Sequence, residues 1–195
     1  MKSRGRFLVL EGIDGSGKTE QTRRLAAWLE QCGHRVVSTR EPTDGPFGRR
    51  YRAWARAEFE ATPDDVLKLF LDDRREHLRL VVLPALGRFE IVVCDRYKDS
   101  TLAYQAAQGL DRERLRALFD TPEFPVPDLV LWLRVPVATA LARMGEHATE
   151  RFERAEFLSR VDAEYARLGL EAIDASGSAD EVERAIRARV EPTLA

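Results

Sequence analysis

Residues Gly12-Ile13-Asp14-Gly15-Ser16-Gly17-Lys18-Thr19 place glycine, lysine and a hydroxyl at the spacing G-x-x-x-x-G-K-[ST]. Glycines at these positions let the backbone curl so that successive N–H groups converge on phosphate oxygens. A helix opening near Lys18 adds the positive end of its dipole. Lys18 reaches the β- and γ-phosphates of a nucleotide, and the hydroxyl of Thr19 is a ligand for Mg2+. The whole of Gly12 to Thr19 is therefore an expected ATP-binding loop, with Lys18 its catalytic cation. A second element agrees. Val92-Val93-Cys94-Asp95 is an apolar run ending in a carboxylate, which puts Asp95 beside Thr19 as the other expected metal ligand.

These residues need a scaffold, and the chain carries the pattern of one. Strand-like apolar runs at Phe7 to Leu10, Val36 to Thr39, Ile91 to Cys94, Asp128 to Leu133 and Ala172-Ile173 alternate with helical stretches. Helices are predicted over Lys18 to Gln31, Arg49 to Phe59, Thr62 to Leu80, Ser100 to Gln108, Arg112 to Phe119, Val137 to Arg143, Arg154 to Leu168 and Asp180 to Val190. Thr62 before Pro63 and Ser178 before the last helix read as N-caps. The alternation predicts an α/β fold of the P-loop NTPase type: a five-stranded parallel sheet with helices on both faces. Ligands of such sheets bind at the carboxyl ends of the strands. The phosphate loop and Asp95 both follow strands, as that rule requires.

The 195 residues suit one domain, 44% hydrophobic and 33% charged. The apolar runs are of strand length, far below the roughly 20 residues of a membrane helix, and no signal peptide is read at the N-terminus. Cys32 and Cys94 lie far apart outside any C-x-x-C motif, as in a reduced, cytoplasmic protein. A net charge of −2 does not suit a general nucleic-acid binder. The sequence contains no asparagine, which excludes the Asn-Lys-x-Asp base reader of guanine-binding switch proteins.

Further groups follow in order: Thr39-Arg40-Glu41-Pro42 after the second strand; Phe70 and Asp73-Arg74 with His77; Asp95-Arg96-Tyr97 after the third strand; Ser100-Thr101-Leu102-Ala103-Tyr104-Gln105; and Arg151-Phe152-Glu153 with Arg160-Val161 and Tyr165 downstream. In this order and spacing, over nearly its whole length, the chain resembles a thymidylate kinase. The resemblance implies transfer of the γ-phosphate of ATP to dTMP with Mg2+, a homodimer, and a single domain over 1–195 with a small mobile lid at about 143–154. It assigns Asp14 to the sugar 3′-hydroxyl, and Arg40 and Arg96 to the acceptor phosphate. Pro42, in the cis form, shapes the loop beneath the acceptor, and Phe70 stacks on the thymine. Arg74 bonds the base edge, Ser100 and Tyr104 line the pocket, and Gln105 is a second base contact. Arg143 and Arg151 supply cationic help from the lid, with Arg154 a weaker candidate.

Plainer roles stay open for each. The plainer role of Asp14 is to stiffen its loop, that of Phe70 to pack in the core, that of Arg40 and Arg96 to make surface ion pairs, and that of the lid arginines to pair with Glu150, Glu153 and Glu156. The sequence departs from the family pattern at Leu71 and Asp72, where small residues are usual beside Arg74, at Arg134 and at Glu20. The first departure bears on acceptor preference. A kinase for another deoxynucleoside monophosphate or for a deoxynucleoside therefore remains an alternative, and a non-catalytic ATP-binding module a distant one.

Overall fold

The computed structural model describes residues 4–145 and 154–194. Strands β1 (Arg6–Glu11), β2 (Val36–Arg40), β3 (Ile91–Asp95), β4 (Leu129–Arg134) and β5 (Glu171–Asp174) form one sheet in the order β2-β3-β1-β4-β5. Every pairing is parallel. The chain leaves β1 toward the β2 edge and returns from β3 toward the β4 edge. The carboxyl ends of β1 and β3 thus flank the topological switch point, the crevice where such sheets bind ligands. Register sharpens this placement: Leu10 is opposite Asp95 on one side of β3, and Arg40 is opposite Asp95 on the other.

The central strands are buried on both faces, so their side chains divide by the period of two. Leu8, Leu10, Ile91 and Val93 join a core with Leu25 and Leu29 of α1 (Lys18–Gln31) and Val182, Ile186 and Val190 of α9 (Ala179–Leu194). Phe7, Val9, Val92 and Cys94 face a second core with Leu78, Val82, Ala85 and Leu86. Helices cover both faces, as the alternation of elements requires.

Most elements match the sequence-based expectation. Thr62 caps α3 (Pro63–His77) in a reciprocal box with Asp65, and Ser178 does the same with Glu181 at α9. One connection differs. The helix predicted to run to Leu80 ends as α-helix at His77, passes through a π-helical turn at Leu78–Val82, and resumes as α4 (Leu83–Gly87). Pro84 has no N–H for the carbonyl four residues back, and its ring crowds that carbonyl. The wider turn just before it accommodates both effects. Similarly, α2 (Pro46–Ala55) starts three residues before its predicted Arg49, because Pro46 suits the first helical turn. The remaining helices are α5 (Lys98–Ala107), α6 (Arg112–Phe119), α7 (Val137–Met144) and α8 (Ala155–Arg167).

Candidate active site

The phosphate loop joins β1 to α1. Gly12 has φ 144° and Gly15 φ 78°, and neither has room for a side chain. A Cβ at Gly12 would lie 2.6 Å from the carbonyl oxygen of Leu133, and one at Gly15 2.3 Å from that of Ala140. Gly17 differs. Its φ is 91°, yet a Cβ there would meet nothing within 4 Å among the described residues. It starts α1 without a side-chain cap among the described residues, which leaves the first-turn N–H groups of the helix for an anion. Lys18 folds into the loop, its Nζ donating to the carbonyl of Ile13 at 2.7 Å and to Ser16 Oγ at 3.3 Å. Burial, with Arg96 nearby, pushes this ammonium down to about 8.

The metal ligands expected from the sequence come together. Thr19 Oγ1 donates to Asp95 Oδ2 at 2.7 Å, while Asp95 Oδ1 is buried without a hydrogen-bond partner among the described residues. A hydroxyl and a half-free carboxylate beside a phosphate cradle fit Mg2+, which takes one or two carboxylate or hydroxyl ligands alongside phosphate oxygens.

Arg96 lies just past β3 at φ 72°, a left-handed conformation that turns the chain back over the phosphate loop. Its Nη1 donates to the carbonyl of Gly12 at 2.9 Å and to Ser100 Oγ at 3.0 Å. Its Nη2 donates to Asp14 Oδ1 at 2.5 Å and to the hydroxyl of Tyr104 at 3.2 Å. The Tyr104 hydroxyl in turn donates to Asp14 Oδ2 at 2.7 Å. Burial opposes ionisation of Asp14, but Arg96 and Lys18 hold its carboxyl below the ordinary carboxylate value.

One cleft of about 560 Å3 collects most of the predicted residues: Asp14, Gly15, Gly17, Lys18 and Thr19 from the donor side, and Arg40, Pro42, Phe70, Asp95, Arg96, Ser100 and Tyr104 around them. The Glu41–Pro42 peptide is cis, as the resemblance implied. Phe70 lies against Tyr51, ring centroids 4.4 Å apart, so it both lines the cleft and packs. Arg143 reaches the cleft as well, its Nη2 donating to the carbonyls of Ser176 and Gly177 at 3.3 and 3.4 Å. Arg40 is exposed and paired with Asp44 at 3.0 Å.

Two predicted base contacts are not on the cleft wall. Arg74 is fully buried; its guanidinium donates to Glu41 and to Thr101 Oγ1 at 3.0 Å, and its Nη1 has no partner among the described residues. Gln105 is likewise buried, with both amide atoms unpartnered among the described residues. Beneath Pro42 the carboxylate of Glu41 bridges Arg74 and His77, and His77 Nε2 lies 2.7 Å from Thr39 Oγ1. Leu71 and Asp72 are turned away from the cleft. Leu71 packs in the second core, and Asp72 pairs with Lys68 and Arg75. Glu20 pairs with Arg23 and Arg24, and Arg134 lies over the Trp132 ring. Arg154 precedes α8 and is exposed. Arg151 and most of the expected lid, residues 146–153, lie outside the described residues.

Sequence reasoning gave no site role to four cleft residues, Glu20, Glu41, Tyr51 and Arg52, and the last two were not singled out at all. Tyr51 backs Phe70, and Arg52 donates to the carbonyl of Pro42 at 3.1 Å and to Asp44 at 2.8 Å. Both sit on α2, which is not tied by any spacing to a strand end. The signal available was Pro46, which starts α2 directly behind the Pro42 loop.

A family model described as Thymidylate kinase matches residues 10–186. The chain belongs to the thymidylate kinase family. A relative named thymidylate kinase from Xanthomonas campestris pv. campestris is 45% identical over 98% of this chain and 85% of its own length. One from Desulfotalea psychrophila is 39% identical over 97% of this chain and 96% of its own length. One from Xanthomonas oryzae pv. oryzae is 40% identical over 100% and 87%. The matched segment starts in β1 and ends in α9, so the family likeness takes in every element that borders the cleft.

Proposed function

We propose that this protein transfers the γ-phosphate of ATP to dTMP, giving ADP and dTDP. The observation that supports the reading is that one cleft gathers two separate cationic groups, Lys18 with the phosphate loop and Arg96 with Arg40, which we assign to the donor and the acceptor phosphate. An enzyme that only hydrolysed ATP would have no use for the second. The acceptor is already largely ionised near neutral pH, since its second pKa is about 6, so no strong general base is required. The residues then act by alignment and charge neutralisation. The loop amides and Lys18 hold the donor phosphates. Arg96, steadied by Asp14, Ser100 and Tyr104, holds the acceptor phosphate with Arg40. Phe70, backed by the tilted Tyr51 ring, gives the base an apolar face, Asp14 accepts from the sugar hydroxyl, and Pro42 floors the pocket. Arg74 and Gln105 act from beneath the wall, Arg74 by holding Glu41, next to Pro42, and Thr101. Arg143, and Arg151 from the lid, offset charge on the transferring group. Mg2+, held by Thr19 and Asp95, would neutralise charge on the donor phosphates.

The same reading includes a homodimer packed through helices, supported by the exposed Leu80 and Leu83 on the π-helical turn and α4, and testable by light scattering. It also includes a cytoplasmic location; no described helix is long and apolar enough to cross a membrane. ADP release with Mg-ATP against dTMP, dUMP, dCMP, dGMP, AMP and thymidine tests the function. Strong preference for dTMP is expected. Preference for another acceptor would keep the kinase and overturn the base-pocket assignment.

A further inference from the structure

At the end of the central strand, Glu11 is fully buried. Taking a carboxylate out of water is costly unless its lone pairs are satisfied, and here both oxygens are. Oε1 accepts from the backbone N–H of Tyr97 at 2.8 Å and of Ser100 at 3.2 Å. Oε2 accepts from Ser100 Oγ and from the hydroxyl of Tyr165 at 2.9 Å. Those two N–H groups belong to the start of α5, which has no side-chain cap of its own. Glu11 therefore caps α5 from a different strand, one of its oxygens accepting the N–H groups of the helix start.

The neighbours of Glu11 act on the same segment. The carbonyl of Leu10 accepts from the N–H of Arg96 at 2.9 Å, and the carbonyl of Gly12 accepts from Arg96 Nη1. Three consecutive residues leading into the phosphate loop thus hold Arg96, Tyr97 and Ser100. Ser100 Oγ completes the link, touching Glu11 on one side and accepting from Arg96 on the other.

We propose that Glu11 is a positioning residue for the acceptor phosphate: through the start of α5 and Ser100 it sets Arg96 at a fixed offset from the phosphate loop. It touches no substrate and acts through Arg96, so the inference rests on the acceptor role given to Arg96 above. Tyr165, on α8, shares the node and supports it from the other side.

The test is steady-state kinetics with direct binding of dTMP and of a non-hydrolysable ATP analogue, for Glu11→Ala, Glu11→Gln, Arg96→Ala and wild type, with folding checked by circular dichroism. Glu11→Ala is expected to raise the dTMP Kd and lower kcat by about tenfold or more, the scale of loss for sub-ångström misplacement of reacting groups, while the analogue Kd stays within about twofold, a change small beside the tenfold step of 1.4 kcal/mol. Glu11→Gln is expected to recover part of the loss, because an amide oxygen still accepts from the Tyr97 and Ser100 N–H groups. Folded Glu11→Ala with unchanged dTMP affinity, or with equal loss for both nucleotides, overturns the proposal. If Glu11→Ala does not fold, Glu11→Gln decides: wild-type dTMP affinity and kcat overturn it, and a selective loss for dTMP supports it. Arg96→Ala separates the two levels. Unchanged dTMP binding there sinks the acceptor-site reading itself, whereas loss in Arg96→Ala without loss in the Glu11 variants sinks this inference alone.

Discussion

The guanidinium of Arg96 and the carboxylate of Asp14 are in contact at 2.5 Å, tying the residue after β3 to the middle of the phosphate loop. The pair leaves Arg96 ionised and oriented before any ligand arrives. Arg96→Ala is expected to raise KM for dTMP by about 10–100-fold, the usual scale for a lost hydrogen bond to a charged group, with KM for ATP much less affected. Arg96→Lys is expected to recover little, because one ammonium cannot replace a planar fork engaged with Gly12, Ser100, Asp14 and Tyr104. Equal weakening of both substrates in Arg96→Ala would point to a different role.

Lys18 is the cation inside the phosphate loop. Lys18→Ala is expected to cut kcat by about 10²–10³-fold, as for removal of a preorganised group that faces developing charge. Near-normal turnover would remove the donor-site assignment.

Gly15 and Gly17 both have positive φ but answer differently to a methyl group. Gly15→Ala drives a Cβ into the Ala140 carbonyl and is expected to destabilise the protein by about 1–3 kcal/mol, read as a fall in Tm. Gly17→Ala has room for its Cβ and bears mainly the left-handed backbone cost, about 1–2 kcal/mol. Its methyl group occupies the phosphate cradle, so its principal effect is expected on ATP binding. Calorimetry on both variants separates the two effects; intact nucleotide binding in Gly17→Ala would move the phosphate site elsewhere.

Asp95 offers one buried oxygen without a partner among the described residues. Asp95→Asn is expected to shift the Mg2+ concentration that half-activates the enzyme upward by about tenfold or more, the range seen when groups supporting a metal are lost. Chelation is expected to abolish turnover reversibly. An unchanged Mg2+ dependence in Asp95→Asn would exclude it as a ligand.

Burial and the neighbouring Asp99 push the carboxyl of Glu11 up to about 7, against the opposing pull of Ser100, Arg96 and the Tyr97 N–H; Tyr165 and Lys18 also face it. The native state therefore holds a proton that the unfolded chain, near 4.5, has released. Stability from this group is fully present below about 4.5 and is lost as pH rises through about 7. The Tm of wild type relative to Glu11→Gln, which cannot titrate there, is expected to fall across that window. A flat difference would mean that Glu11 ionises normally.

Much of the site was legible before folding because its chemistry is local. The phosphate loop sits within eight consecutive residues whose glycines, lysine and hydroxyl dictate their own geometry, and Asp95 follows an unmistakable apolar strand. The α/β alternation was legible for the same reason, since helix and strand periods are properties of short segments. Helix interruptions were harder: the helix expected to run to Leu80 ends as α-helix at His77, and the π-helical turn that follows, just before Pro84, was not read from the sequence.

The sequence by itself determined the phosphate loop, the parallel α/β order and, through motif order, the family resemblance, while Leu71 and Asp72 left the acceptor open. Tertiary structure alone decided which face each helix turns to the cleft. It sent Leu71 and Asp72 away from the acceptor, drew Arg74 and Gln105 beneath the wall, and brought Tyr51 and Arg52 to it. It also joined Glu11 to a helix start 86 residues further along the chain. The physical reason is that a helix or loop specifies its own backbone, whereas the partner that satisfies a buried charge or covers an apolar face comes from chain far away, through sheet register and strand order.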